Sequence, residues 1–409
     1  MFDWWSSGQD SGDPRERWAL MATSRLASAV EGVHSGDSGQ VSGHVGALPV
    51  TTSEVVIGPE ALMNHAGALD SLLKVTHAPA TARWLPVVTW MRHNPMQTPW
   101  SVLVRRDGEV VAAALLVRVF RRGVYRFETP CEGYLPSWLP SRDAHSAKAL
   151  AVALARSLRA IRNPWVLHLR CLELADPAVA AITEELAVTH SDNGVSPRIN
   201  FSSGEPLTAY LSRNTRSALA KAHNRIKNAG LAIEMRWTRE PEEIDAIVPE
   251  ILRLYRKRSS QLGHDVALLA NADYRSYLAD VVHSYGEAGL ARLLTLRLNG
   301  QLASYALCLE SAGTMLVYSN RMSPDWTRYS AGAITNAEVV RTAHSDRGIR
   351  CLDWGTGLQR YKLSGNATLH PHQNIHAWSS EMARGAWVWT QRARQIASSG
   401  HRIFQRPPR

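Results

Sequence analysis

The sequence lacks the marks of several large classes. Its longest apolar runs, such as Val110–Val117 and Ala149–Ala155, fall far short of the roughly 20 residues that a membrane-spanning helix needs, so no membrane insertion is expected. The opening residues, Met1-Phe-Asp-Trp-Trp, offer no basic n-region and no apolar h-region, so no secretory leader is expected. Cysteine is scarce. Cys131, Cys171, Cys308 and Cys351 lie far apart and form no Cys-x-x-Cys, which predicts reduced, buried thiols in a cytoplasmic protein rather than a disulfide framework. There is no Gly-x-Ser-x-Gly elbow, P-loop or His-Glu-x-x-His, which argues against serine hydrolases, P-loop NTPases and zinc proteases. His370, His372 and His376 have neither cysteine nor carboxylate among them. They read as surface histidines on a strand edge, and no metal site is assigned.

What is present fits a globular enzyme. The 409 residues suffice for two packed domains, and 45% are hydrophobic, too many for a disordered chain. Lysine and arginine exceed aspartate and glutamate by 46 to 36, a net charge of +10, which favours an anionic partner without selecting one. Residues 1–48 are rich in glycine and serine around Ser35–His44 and read as a disordered leader.

A first half over 49–204 is expected to run helix (Pro59–Val75), strand (Trp100–Arg105), the Asp107-Gly108 turn, strand (Glu109–Val119), strand (Tyr125–Pro130), helix (Ala144–Arg162), strand (Trp165–Leu172) and helix (Pro177–Val188). A second half over 205–385 repeats that order: helices at Pro241–Leu262 and Asp273–Tyr285, a hairpin through Asn299-Gly300, a strand at Gly313–Asn320, a helix at Ala331–Ala343 and a strand at Cys351–Trp354. A basic tail, 386–409, follows. No repeat is visible letter by letter, so the duplication rests on element order.

Residues 206–233 contain no acidic side chain. Within them Leu211–Asn228 predicts an amphipathic helix, with Leu211, Ala218, Leu219, Ala222 and Ile226 on one side. Arg213, Arg216 and Lys227 fall opposite, and Lys221 and Arg225 flank the stripe. The row reads either as the solvated face of a connecting helix or as a surface for phosphates, which arginine grips bidentately.

The stretch Tyr318–Lys362 carries most of the chemistry. A glycine where a loop becomes a helix lets backbone N–H groups face an anion, helped by the helix dipole. Arg328, Ser330, Ala331, Gly332 and Ala333 supply such a junction. Aminolysis of a thioester or ester needs a neutral amine, oxyanion stabilisation and a proton for the leaving group. Asp353 is a candidate to orient or deprotonate the amine, Lys362 to stabilise negative charge or hold a phosphate, and Tyr361 or Tyr318 to donate a proton.

Taken together, Leu211-Ser-Arg-Asn-Thr-Arg-Ser-Ala-Leu-Ala-Lys, the Asn299-Gly300 hairpin, Ser330-Ala-Gly332 and Leu352-Asp-Trp-Gly-Thr-Gly with Tyr361-Lys362 resemble the FemAB-like branch of the GNAT acyltransferase superfamily. Within it they are most similar to the group that includes cellulose-biosynthesis proteins of the CelD/BcsL type. The resemblance implies an α/β fold of two tandem GNAT-like domains, each a mixed, mostly antiparallel sheet flanked by helices, with the first degenerate. It implies N-acyl transfer to an amine on a small molecule or sugar, from acyl-CoA as first choice or from aminoacyl-tRNA. Neither is a tightly bound cofactor, and no DNA partner is implied. Arg328 stands one place before the position that the superfamily's Gln/Arg-x-x-Gly-x-Gly/Ala pattern uses. A non-catalytic protein of envelope or exopolysaccharide assembly is the reading from another class.

Overall fold

The computed structural model describes residues 51–130, 135–261, 271–363, 365–385 and 387–389. The expected leader, Cys131 and all but three residues of the expected tail lie outside these residues. The first half contains β1 (Thr51–Ile57), α1 (Pro59–Met63), α2 (Ala66–Val75), α3 (Trp84–Arg92), β2 (Thr98–Arg106), β3 (Glu109–Arg121), β4 (Val124–Glu128), α4 (Ala144–Arg159), β5 (Trp165–Glu173), α5 (Pro177–Glu185) and β6 (Val188–Asn200). The second contains α6 (Leu207–Tyr210), α7 (Arg213–Asn228), β7 (Ile233–Thr238), α8 (Pro241–Gln261), α9 (Ala272–Glu287), β8 (Ala291–Leu298), β9 (Gln301–Ser311), β10 (Thr314–Met322), α10 (Ala331–Ser345), β11 (Cys351–Asp353) and β12 (Thr368–Trp378).

Both halves lay out their strands alike. Each turns its hairpins with a left-handed residue followed by a left-handed glycine: Asp107-Gly108 and Arg122-Gly123 in the first, Asn299-Gly300 and Ala312-Gly313 in the second. Positive φ at both positions gives the twist that antiparallel neighbours need. Helices cover both faces. In the first half α4 and α5 pack Leu150, Leu154 and Ile182 on Val102, Leu116 and Leu167, while α1–α3 pack Leu62, Leu69, Leu72 and Trp84 on Leu103 and Leu115. In the second half α7 and α10 lie on one face and α8 and α9 on the other.

The halves do not close separately. All strands form one 12-stranded sheet in the order β1-β2-β3-β4-β5-β12-β6-β11-β10-β9-β8-β7. The last strand of the second half, β12, lies between β5 and β6 of the first. The last strand of the first half, β6, pairs with β11 of the second. Each half thus gives its final strand to the other, and the described residues belong to one compact unit.

Several expectations need correction. Pro59–Val75 is broken into α1 and α2 around Asn64-His65. The basic helix starts at Arg213, because Ser212 caps it by accepting from the Thr215 amide at 3.1 Å; Leu211 is buried just outside the helix, and Ala218 is exposed. β1, β6 and β7 were not anticipated. The histidine segment is no strand edge: β12 has a neighbour on each side, and His372 is buried, with its Nε2 2.9 Å from Ser196 Oγ.

At the seam Arg198 of β6 spans the exchange. Its Nε donates to Asp353 Oδ2 of β11 at 2.6 Å, and its Nη2 donates to Glu173 at the end of β5. Burial disfavours the Arg198 cation, but the two carboxylates outweigh this and raise its pKa. Burial would likewise raise Glu173, yet Arg198 holds it below its ordinary value.

Two outcomes are expected. Residues 50–203 and 204–409, produced separately, each lack a strand that fills their half-sheet. Neither should give a native circular dichroism spectrum alone, and mixing should restore it; a cooperatively folding isolated half would contradict the exchange. Arg198→Met should cost about 3–5 kcal/mol in urea denaturation at neutral pH, the scale for stranding buried charges. Because Glu173 has a depressed folded-state pKa, its contribution is present above its unfolded value and lost as pH falls through the folded one. That part of the acid-side loss of stability should vanish in the variant.

Candidate functional site

β10 and β11 run parallel but pair only over Thr314–Leu316 against Cys351–Asp353. β10 then bulges between Val317 and Ser319 and continues to Met322, while the chain after Asp353 turns aside through Gly355 at φ 68°. The strands part like a V. Asp353 fixes one arm: Oδ1 accepts from the Gly355 amide at 2.7 Å, and Oδ2 is held by Arg198. The loop returns through a 3-10 turn, Arg360–Leu363, which carries Tyr361 and Lys362 into the opening.

Lys362 is buried, and its Nζ donates to the carbonyls of Gly355 (3.3 Å) and Thr356 (2.8 Å). Burial pushes its pKa down to about 8, opposed by Asp353 and assisted by Arg321. The Tyr361 hydroxyl donates to Asn320 Oδ1 at 3.3 Å, and the Asn320 amide donates to Asn336 of α10 at 2.9 Å. Burial raises the Tyr361 phenol. Its ring stands edge-on to Trp354, centroids 5.6 Å apart. Asp353, Tyr361 and Lys362 therefore gather as the sequence suggested. Tyr318 sits at the β10 bulge, its ring edge-on to Tyr285 of α9 at 5.4 Å, and lines a small cavity with Trp90 and Tyr277.

The N-terminus of α10 lies beside the end of β10. Ser330 precedes it in the left-handed region, φ 56° and ψ 37°, and no side chain caps the helix. The Gly332 amide meets the Met322 sulfur at 3.3 Å, a weak acceptor. A Cβ on Gly332 would lie 3.3 Å from the Met322 Cβ, so glycine permits this close passage. Arg225 of α7 donates to Ser330 Oγ at 3.0 Å, joining the basic helix to the Ser330–Ala333 junction. Arg328 instead lies over the Tyr329 ring, 4.6 Å from its centroid. Arg216 is spent on the Thr208 and Leu211 carbonyls. Arg213 and Lys221 stand on the exposed face.

The first half offers an internal comparison. Its matching helix, α4, is capped by Asp143, whose Oδ1 accepts from the Ser146 amide at 2.7 Å and whose Oδ2 accepts from Arg106 at 2.9 Å. The Arg106 hydrogen bond, followed by that amide, holds the Asp143 carboxyl well below the usual range. Beyond the β4–β5 pairing the chain runs along the edges of β5 and β3: the Ser137 amide donates to Cys171 O at 3.1 Å, and the Arg142 amide to Val111 O at 2.9 Å. An acid stands where α10 has none.

Sequence reading missed Arg198, Glu173, Asn320 and Arg321. Asn320 ends the expected strand and Arg321 opens the expected loop that runs into the glycine junction, a signal that was available; Arg198 lies in an unanticipated strand and gave none. The cysteines at Cys171, Cys308 and Cys351 are free thiols; burial pushes Cys351 up to about 11, so it is protonated at neutral pH. No described helix is long and apolar enough to cross a membrane.

Residues 213–363 match the family described as the acetyltransferase (GNAT) domain. No curated protein matches the sequence. Among solved structures, FemX is similar with a TM-score of 0.55 at 12% identity, over 76% of this chain and 95% of FemX. A conserved protein of unknown function from Bacteroides thetaiotaomicron VPI-5482 aligns at 13% identity over 76% of this chain and 97% of its own, with a TM-score of 0.49. A tandem GNAT protein from the clavulanic acid biosynthesis pathway aligns at 14% identity over 80% and 99%, with a TM-score of 0.43. At these identities the likeness is one of fold. The match to the GNAT domain is confined to the second half, and the fold of the chain, a mixed and mostly antiparallel sheet flanked by helices in both halves, is like that of FemX.

Proposed function

We propose that the protein is an N-acyltransferase with one working site, in the second half, taking its acyl group from acyl-CoA. The observation that carries this is the contrast between two matched helix N-termini. At α4, Asp143 fills the position where a donor phosphate would bind, and the segment 137–142 pairs with the edges of β3 and β5 beyond the end of β4. At α10 the N-terminus has no acid, and Arg225 is beside it. Helix N-termini favour anions and disfavour a second negative charge. The pyrophosphate would rest against Ser330–Ala333, and the acyl arm would enter the V between β10 and β11. There Lys362, protonated, faces the developing oxyanion, and Tyr361 supplies the leaving group's proton. Asp353, with both oxygens engaged, acts as a positioning residue that holds Gly355 and the turn bearing Lys362.

The second reading is an aminoacyl-tRNA donor, making the chain an aminoacyltransferase. It is favoured by the exposed cations of α7, among them Arg213, Lys221 and Lys227, in a stretch without acids. The CelD/BcsL grouping remains part of the proposal and adds a sugar amine to the candidate acceptors.

The donor reading is tested by moving the first half's acid into the second. Ser330→Asp should fold normally, since aspartate tolerates the left-handed region. It should weaken acetyl-CoA binding roughly 10-fold or more, the scale of a like charge in a favourable helix-end site. Unchanged acetyl-CoA affinity would remove α10 from donor binding. A salt series separates the donors. Binding of acetyl-CoA should vary weakly with salt, whereas bulk tRNA would show a log–log slope of about −0.7 to −0.9 per phosphate contact, lost when Arg213, Lys221 and Lys227 become glutamate.

The Lys362 assignment makes a pH prediction. The protonated form is the active one, so kcat should fall as pH rises through about 8, the Lys362 value. Lys362→Arg, always protonated, should keep measurable rate and lose that alkaline limb. Lys362→Met should lower kcat by about 10²-fold or more, as loss of an oxyanion stabiliser does. An alkaline limb that persists in Lys362→Arg would assign it to another group.

A further inference from the structure

Arg321, near the end of β10, has a setting unlike that of the other well-covered arginines. Arg170 meets Glu128, Arg198 meets Asp353 and Glu173, and Arg292 meets Glu310 and Asp346. Arg321 meets no carboxylate among the described residues. Its Nη1 donates to Asn320 O at 2.7 Å, and its Nη2 lies 3.4 Å from the Tyr255 hydroxyl. Its guanidinium sits over the Tyr255 ring, 4.6 Å from the centroid. The titratable groups that act on it are three phenols, Tyr255, Tyr305 and Tyr361, and its own charge is felt at Lys362.

A guanidinium withdrawn from water without a counter-charge is costly, and one cation–π contact offsets only about 0.5–2 kcal/mol. Among the described residues nothing supplies that charge to Arg321, and an anion from outside the chain would complete it. The Tyr255 hydroxyl and the guanidinium beside it form a donor-rich lining that fits a carboxylate or a phosphate, which arginine grips bidentately.

Its position says which substrate. Tyr255 belongs to α8, and Tyr305 packs with the α8 and α9 core. Ser330 and Arg225 belong to the α7 and α10 side of the sheet, where the donor phosphates are assigned. Lys362 and Tyr361 lie between, with Tyr361 hydrogen-bonded to the Asn320 side chain. An anion at Arg321 is thus separated from the donor phosphates by the reacting centre.

We propose that Arg321, with the Tyr255 hydroxyl, is an anion subsite for the acceptor, and that the acceptor is a small amine bearing a carboxylate or a phosphate. The assignment to the acceptor rests on the acyl-transfer reading; the anion subsite does not.

The test has two independent arms. In the first, the Arg321 Nε–Hε resonance, assigned by its loss in Arg321→Lys, is followed while inorganic phosphate or acetate is titrated into the full chain. A saturable shift is expected with at least one anion, and it should survive in Ser330→Asp, where the donor end is blocked. A resonance unmoved by both anions overturns the subsite. In the second, acetyl-CoA turnover is read by thiol release with paired amines: amino acids against their amides, and glucosamine 6-phosphate against glucosamine. The anionic member of a pair is expected to have the higher kcat/KM by about 10-fold or more. Arg321→Gln should erase the preference through KM while acetyl-CoA affinity stays unchanged. Which pair shows the preference tells carboxylate from phosphate. Equal use of both members, or a preference kept by Arg321→Gln, overturns the acceptor assignment. A saturable shift at Arg321 with no acetyl-CoA binding would sink the donor reading and leave the anion subsite standing.

Discussion

The pairing of Arg198 with Asp353 and Glu173 is the constraint on which the remainder hangs. It joins β5 of the first half, β6 exchanged out of that half, and β11 of the second. Strand registers are set by side chains that must find their opposite numbers, and a cation held between the buried Asp353 and the half-buried Glu173 tolerates no slip. The same contact holds one oxygen of Asp353 while the other fixes Gly355, and that turn presents Lys362. The order of the sheet and the placement of the candidate site residues are therefore one arrangement.

The chain carries two copies of one layout, and a few charges tell them apart. Asp143 and Ser330 hold matched positions before α4 and α10. The first is an acid locked to Arg106, the second a hydroxyl beside Arg225. An N-terminus that already carries a carboxylate has its dipole answered from within the chain. One that carries a hydroxyl and a neighbouring guanidinium invites an outside anion. The retained half keeps its structural worth, since without β5 and β6 the central strand β12 has no neighbours.

Local chemistry in the sequence revealed what local chemistry decides. Asp107-Gly108 and Asn299-Gly300 marked two of the hairpins, apolar spacing marked the long helices, and Asp353 with Tyr361-Lys362 stood out as candidate site residues. Strand exchange was invisible because no local signal encodes it. β6 contains Pro197 and β12 contains Pro371. Proline donates nothing to a ladder and is normally confined to edges, so both segments read as anything but central strands. Here Pro197 faces Leu369 and Pro371 faces Val195, with a bulge after Pro371 absorbing the irregularity. Arg198 and Arg321 were missed for the same cause: an arginine announces its role only when its partner, or the want of one, is known.

The exchanged strands also set an order of events during synthesis. When the ribosome has finished β6, the first half has its helices and most of its strands but an empty slot between β5 and β6. The segment that fills it, Thr368–Trp378, is made some 170 residues later. Until then the nascent chain exposes two strand edges able to pair with any other chain, and long-range closure of this kind is slow. A nascent chain that stalls before β12 emerges would leave a sticky half-sheet.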